Sequence, residues 1–354
     1  MSERSYDVIV FIGRLEPPTH AHIEIIKQAL QYGDKVVVLA GSANQPRTVK
    51  NPFSVNERRE MINACFPEDY ERIVVVGIED HIDNDTLWLR DIQQVVRANT
   101  PRVDWQTMTD VGIIGHSKDD SSYYLQMFPQ WDPLEIDNMD DINATDVRKL
   151  YFDPLLTLHN GGTVFETTIK DKLPPAVAAY LMDFTKTEAY SNLVQEAIFL
   201  EKYKLQWKPA PYDVNFITTD AVVVQSGHVL LIERRANPGK GLWALPGGFL
   251  QKGKRIQESM IAELREETRL AVPPKLLIGN IAGVEVFDQV ERSLRGRTVT
   301  HAFYITLPPG PLSKVKGSDD AKKAKWFPVD EALAMGDQLF EDHIHIIRHF
   351  IGEV

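Results

Sequence analysis

The sequence predicts an α/β protein of two domains, a parallel-sheet domain followed by an α+β domain. Three observations carry that expectation. The chain has 354 residues, enough for about two cores. Its first half alternates apolar runs with amphipathic helical segments, the pattern of a parallel sheet covered by helices. After the break at Lys208-Pro209-Ala210-Pro211 the character changes, and Asn215 to Val224 and His228 to Arg234 read as two β-rich runs joined at Ser226-Gly227. The expected organisation is residues 1–186, a helical linker over 187–210, and residues 211–354.

Val8 to Ile12 is an uninterrupted apolar run, which predicts a strand buried on both faces. Gly13-Arg14-Leu15-Glu16-Pro17-Pro18-Thr19-His20-Ala21-His22 follows as a tight turn. Thr19 is placed to cap a helix whose apolar face is Ile23, Ile25, Ile26, Ala29 and Leu30. The turn therefore lies at the carboxyl end of a parallel strand, where open α/β sheets bind ligands and a helix start favours phosphate. Arg14 and His22 become two donors aimed at one anion.

Lys35 to Gly41 predicts the second strand, and the polar loop 42–54 carries Arg47 and Lys50. Ser54-Val55-Asn56-Glu57 is a capping-box start for a helix to about Cys65. Strands are expected over Arg72 to Glu79 and Asp110 to Gly115, and helices over Thr86 to Asn99, from Pro175 to about Phe184, and over Thr187 to Leu205.

The string from Gly13 to His22 resembles the (His/Thr)-x-Gly-His signature of the nucleotidyltransferases, with Thr19 and His22 in place and Ala21 for its glycine. Ile142-Asn143-Ala144-Thr145-Asp146-Val147-Arg148 is similar to that family's second signature, Ile-Ser-x-Thr-x-x-Arg, with Asn143 for the serine. Thr145 and Arg148 at a helix start would form a second phosphate cradle facing the first. Trp88 resembles the tryptophan that stacks on the nicotinamide ring in nicotinamide-mononucleotide adenylyltransferases. Gly115-His116-Ser117-Lys118-Asp119 with Ser121 to Tyr124 resembles their adenine-side loop. Taken alone, the first motif reads as a capped turn and Trp88 as a core residue; together, in order from about Tyr6 to Phe184, they are far more specific.

The resemblance implies a Rossmann-like nucleotidyltransferase domain that joins ATP and nicotinamide mononucleotide into NAD and pyrophosphate with Mg²⁺. It implies catalytic roles for Arg14, Thr19, His22 and Arg148. It also implies substrate-binding roles for Gly13, Arg47, Trp88, Gly115, Lys118, Asn143 and Thr145.

In the second half, Leu245-Pro246-Gly247-Gly248-Phe249-Leu250 precedes a helical segment, Ala262 to Thr268. Glu263, Glu266 and Glu267 stand at i, i+3 and i+4 and share one helix face, where a hard cation would relieve their repulsion. Such a face is most often simply solvated. This stretch resembles the Nudix box, Gly-x5-Glu-x7-Arg-Glu-U-x-Glu-Glu-x-Gly-U, with U a bulky apolar residue. Gly248, Glu263, Leu264, Glu266, Glu267 and Leu270 match; Lys254, Ala262 and Arg269 replace its first glutamate, its arginine and its second glycine.

The implied second domain is an α+β Nudix domain, an α/β/α sandwich, with Glu263, Glu266 and Glu267 as catalytic metal ligands for Mg²⁺ and Gly248 at the substrate. Arg292, Arg295 and Arg297 resemble the substrate-binding arginines of ADP-ribose-handling Nudix domains, which implies hydrolysis of ADP-ribose to AMP and ribose 5-phosphate. An alternative keeps this domain as a sensor that binds ADP-ribose or NAD without hydrolysis. The C-terminal segment Asp330 to Ile351 is expected to be helical, with His343, His345 and His349 on an exposed face.

The formal charge of −11 argues against general affinity for nucleic acid or anionic membranes, and hence against a DNA-binding regulator. No G-x-G-x-x-G or Walker A motif occurs, which disfavours a dehydrogenase or kinase. Cys65 is the only cysteine, so a disulfide framework is excluded, and no apolar run approaches a membrane span. The expected protein is cytoplasmic and makes no membrane contact; homo-oligomerisation is left open.

Overall fold

The computed structural model describes residues 6–82, 84–100, 110–116, 125–136, 143–153 and 172–352. The chain divides into two compact units, Met1–Ala197 and Ile198–Val354, a division that falls inside the segment the sequence assigns to a linker.

In the first unit, β1 (Tyr6–Gly13), β2 (Gly33–Ala40), β3 (Ile73–Gly77), β4 (Val111–His116) and β5 (Asp132–Ile136) form a sheet in the order β3-β2-β1-β4-β5. Every neighbouring pair is parallel. The period-2 alternation of the strands sends Ile9, Phe11, Val36 and Val38 to one face, where Ile25 and Ile26 of α1 (His20–Tyr32) and Ile62 of α2 (Val55–Cys65) cover them. Val8, Val10, Val37 and Leu39 face the other way, against Ile92 and Val96 of α3 (Asp85–Asn99). Burial on both faces is why these strands read as continuous apolar runs.

The strand order reverses at β1, so the β1–α1 turn opens at the switch point of the sheet. The short helices α4 (Ala144–Tyr151) and α5 (Pro175–Phe184) follow. β5 is missing from the sequence expectation. Its segment, Asp-Pro-Leu-Glu-Ile, carries a proline and two acids, which an edge strand tolerates and a central one does not.

The helix α6 (Glu188–Trp207) spans the division between the units. In the second unit a mixed sheet runs β10-β11-β6-β7-β12. Its strands are β6 (Phe216–Gln225), β7 (His228–Arg234), β10 (Ile281–Phe287), β11 (Thr298–Thr306) and β12 (Ala321–Pro328). The short β8 (Trp243–Ala244) pairs with β7, and β9 (Gly247–Phe249) pairs with β6. Ala221, Val223 and Leu230 pack on Met260, Ile261 and Leu264 of α7 (Ile256–Thr268). On the opposite face Val222, Val229 and Leu231 pack on Leu339, Ile344 and Ile347. This is the expected α/β/α sandwich.

The C-terminal segment is not one helix as expected. After α8 (Pro274–Gly279), earlier in the chain, the last stretch breaks into α9 (Val329–Ala334), a 3₁₀ turn (Gly336–Gln338) and α10 (His343–Ile351). Leu339 and Phe340 leave the helix because they bridge to Trp243, with Phe340 N donating to Trp243 O at 2.8 Å. His343 is correspondingly buried rather than on an exposed face, its Nδ1 accepting from Leu245 N at 2.8 Å. Among the described residues no helix is long and apolar enough to cross a membrane.

Candidate active sites

The first site is the β1–α1 turn. Thr19 is the N-cap of α1, and its backbone N–H donates to His22 Nδ1 at 3.0 Å. A ring nitrogen that accepts an amide proton carries none of its own, so the imidazole proton sits on Nε2 and His22 is a donor there. The ring packs on Phe11, at 6.2 Å between centroids. Gly13 closes β1, and its carbonyl accepts from Gly41 N at 3.0 Å. Arg14 is fixed by the Lys50 carbonyl at 3.0 Å and Asn51 Oδ1 at 2.5 Å.

Arg148, from α4, donates Nη1 to the Glu16 carbonyl at 2.6 Å and Nη2 to Thr145 Oγ1 at 3.0 Å. Burial, then the positive charge of Arg14, pushes the Arg148 pKa down to about 10, with Glu16 acting in the opposite sense. Two guanidinium groups held close enough to feel each other in a sequestered place are a receptor for a multiply charged anion. Asn143 caps α4, its Oδ1 accepting from Asp146 N at 2.9 Å.

Not every sequence-named residue is committed to this turn. Arg47 donates to the Pro52 carbonyl, pairs with Glu57 at 2.8 and 3.1 Å, and lies over the Phe184 ring. Trp88 is half-buried on the core cluster beneath α3, 6.2 Å from Phe128. Gly115 lies in β4, paired with Glu135. Lys118 lies outside the described residues.

The second site is a cavity of about 530 Å³ in the second unit, lined by Glu263, Glu266 and Glu267 of α7. The glycine pair of β9 fits between strand and helix: a Cβ on Gly247 would collide with Thr219 O of β6, and one on Gly248 would come within 2.9 Å of Glu263 Oε2 of α7. Glu267 is buried and its Oε2 accepts from Gly247 N at 2.9 Å. Burial pushes its carboxyl up to about 8, against the Gly247 N–H and with Glu263 adding to the rise. Burial raises Glu263 too, opposed by a hydrogen bond from Gln251 and reinforced by Glu266 and Asp319.

Gln251 Nε2 donates to Glu263 Oε1 at 2.6 Å and to Glu266 Oε2 at 3.4 Å, so a neutral amide bridges the two carboxylates. Among the described residues no three His, Cys, Asp or Glu side chains already enclose a point where a metal would sit. The donor set nonetheless fits a hard divalent cation: oxygen ligands only, one of them buried and short of counter-charge.

Arg292 and Arg295 also line the cavity. Arg292 forms a buried two-point pair with Asp342 at 2.7 and 2.8 Å, and Arg295 reaches Glu341 at 3.3 Å and lies over the Phe249 and Phe340 rings. Arg297 instead pairs with Asp288 at 3.7 Å and is not among the lining residues. The sequence does not point to Arg234, whose guanidinium lies 3.9 Å over the Phe340 ring on the cavity wall. Its strand context gives no motif, and Phe340 arrives from more than 100 residues further on.

Residues 10–150 match the cytidylyltransferase-like family and residues 215–350 the NUDIX domain family. The chain is 36% identical, over 54% of its length, to the nicotinamide/nicotinic acid mononucleotide adenylyltransferase of Acinetobacter baylyi, and covers 93% of it. It is 32% identical, over 46% of its length, to the ADP-ribose pyrophosphatase of Methanocaldococcus jannaschii, covering 85% of that protein. A crystal structure from Francisella tularensis, a bifunctional NMN adenylyltransferase/ADP ribose pyrophosphatase complexed with AMP and a manganese ion, superposes with a TM-score of 0.84 at 32% identity. The match covers 98% of each chain.

The chain belongs to this bifunctional adenylyltransferase–Nudix family. The β1–α1 turn is thus in its adenylyltransferase domain, and the glutamate-lined cavity is in its Nudix domain. Enzymes of both kinds use divalent metals. Arg269 explains one departure from the Nudix box. It caps α7 in the left-handed conformation, φ 46°, where the box has glycine, so the backbone shape is kept with a less suited residue.

Proposed function

We propose that the adenylyltransferase domain transfers the adenylyl group of ATP to nicotinamide mononucleotide, and that the Nudix domain hydrolyses ADP-ribose to AMP and ribose 5-phosphate. In the first reaction a mononucleotide phosphate oxygen bonds to the α-phosphorus and the bond to the β-phosphate oxygen breaks, giving NAD and pyrophosphate. Such chemistry needs alignment and charge neutralisation more than a protein nucleophile. The observation that carries the reading is Arg148 of α4 bonding the Glu16 carbonyl, which brings a second arginine to the turn that holds Arg14 and a His22 whose Nε2 is a donor. Thr19 orients His22, Thr145 orients Arg148, and Gly13 and Asn143 shape the two helix starts. Arg47, Gly115 and Lys118 are assigned to substrate binding on the resemblance alone.

In the Nudix domain Glu263, Glu266 and Glu267 would hold Mg²⁺, which when bound neutralises the pyrophosphate and activates water. Gln251 must yield its two carboxylates as the cation enters. Arg292 and Arg295, fixed by Asp342 and Glu341, place guanidinium groups on the cavity wall, and Gly248 lines it beside Glu263. The single cysteine and the acidic charge support a cytoplasmic location without nucleic-acid partners.

NAD formation from ATP and nicotinamide mononucleotide by the purified protein tests the first activity, and Trp88 tests the pose. If its ring stacks on nicotinamide, Trp88→Ala should raise KM for the mononucleotide by the equivalent of about 0.5–1.5 kcal/mol and spare that for ATP. Equal damage to both constants would make Trp88 a core residue only.

The domain division is tested by truncation. A fragment ending at Ala197 should fold with its own cooperative transition, whereas one ending at Lys186 should melt lower. The shorter piece loses the Tyr190 hydroxyl bond to the Tyr151 carbonyl, 3.0 Å, and the buried Leu193 and Val194. Equal melting of the two would place the boundary before α6.

A further inference from the structure

The turn that carries the first site has a carboxyl group at its centre to which the chemistry above gives no task. Glu16 is 0% exposed although it stands between Arg14 and Thr19 in an anion-binding turn. Its Oε2 accepts from Phe53 N at 3.0 Å, its Oε1 lies 3.5 Å from Arg58 Nη1, and its carbonyl accepts from Arg148 Nη1 at 2.6 Å. Arg58 is 1% exposed and donates Nη1 to the Arg14 and Gly41 carbonyls, at 2.7 Å each. The turn, the end of β2, the loop before α2, α2 itself and α4 are all tied through this one pair.

The tie is not saturated. Among the described residues neither Glu16 Oε1 nor Arg58 Nε has a hydrogen-bond partner. A buried pair kept for stability alone gains most when every donor and acceptor is satisfied. This one spends its bonds on the carbonyls of Arg14 and Gly41 and on the carbonyl that aims Arg148.

We propose that Glu16, with Arg58, is the positioning residue of the adenylyl-transfer site: its ionised carboxylate locks the turn and α4 so that Arg14 and Arg148 present a preformed anion cradle. The inference rests on the adenylyltransferase reading. Glu16 touches no substrate; it acts through Arg58 and through the backbone that carries the two arginines.

Its charge is poised to change. Burial pushes the Glu16 carboxyl up to about 7, while the charge of Arg58 from α2, the Phe53 N–H, Arg14 from its own turn and Arg148 from α4 pull it down. Asp80 and Glu57 also favour the charged form of Arg58, while Arg14 opposes it. Below neutral pH Glu16 is protonated and its hold on Arg58 is weak; as pH rises through about 7 the carboxylate forms and the lock engages.

The test compares the wild-type protein with Glu16→Gln in NAD formation across pH. Glutamine keeps the shape and the acceptor for Phe53 N–H but cannot ionise. Loss of the lock should lower kcat, so the ratio of wild-type to variant kcat should grow from about twofold at pH 6 to about tenfold or more at pH 8. Substrate ionisations cancel in that ratio. A ratio that stays flat with pH makes Glu16 merely structural and overturns the inference.

If Glu16→Gln does not fold, Arg58→Lys decides. A lysine keeps the charge but cannot reach as many partners, so Glu16 should hold its proton to higher pH. The acid limb of wild-type kcat should then move up by about half a pH unit or more; an unmoved limb overturns the inference. Wild-type protein that makes no NAD at any pH would sink the functional reading and this inference together, whereas NAD formation with a flat ratio sinks only the inference.

Discussion

Replacing His22 by alanine is expected to lower kcat for NAD formation by ~10²-fold or more, the scale for losing one preorganised donor at a site of developing charge. The expectation follows from the tautomer. Thr19 N–H occupies Nδ1 at 3.0 Å, which fixes the ring and leaves its proton on Nε2. The donor is therefore oriented before substrate arrives. α1 should survive the substitution, because Ile25, Ile26 and Ala29 still anchor its buried face. A folded His22→Ala protein with near-wild-type kcat would remove His22 from the chemistry.

In the Nudix domain Glu267→Gln should abolish hydrolysis of ADP-ribose. Glu267 is the most deeply buried of the three glutamates, and an amide neither neutralises a cation nor accepts a proton there. Folding is not the confounding factor. With its pKa raised to about 8 from an ordinary 4.5, the metal-free folded state holds a proton at pH 7 that the unfolded chain releases. Glutamine mimics that protonated form and can still accept from Gly247 N, so the variant should melt no lower than the wild type without metal. Restoring the box should act in the opposite sense. Ala262→Arg, alone or with Lys254→Glu, should raise turnover if slack carboxylates limit it. Full activity in Glu267→Gln would mean the box glutamates are the wrong residues.

Local patterns that fold locally are the ones legible in the sequence. The capping box at Ser54 and Glu57 gives α2 its start, and the apolar runs of β1 and β2 announce a strand covered on both faces. The three glutamates of α7 share a face because helical spacing alone dictates it. What escapes is set by tertiary contact. Nothing in the sequence singles out Glu16, because its partner Arg58 is 42 positions away on the buried face of α2. Gln251 and Arg234 escape for the same reason: one meets the α7 carboxylates only after β9 folds against α7, the other meets Phe340 only once the C-terminal segment bridges to β8. That bridge also accounts for the broken C-terminal helix, since a strand-like contact to Trp243 outweighs the local helical pattern. β5 is hidden by its own edge chemistry.

The central claim is that one chain carries two working sites, and the Nudix site, with three box positions changed, is where it is most exposed. The direct measurement is AMP release from ADP-ribose by the purified full-length protein, with and without Mg²⁺. Slow, Mg²⁺-dependent release of AMP with ribose 5-phosphate, lost in Glu267→Gln and raised in Ala262→Arg, is the expected result. Binding of ADP-ribose with no AMP from the wild type or from either box-restoring variant would contradict it and make the domain a sensor.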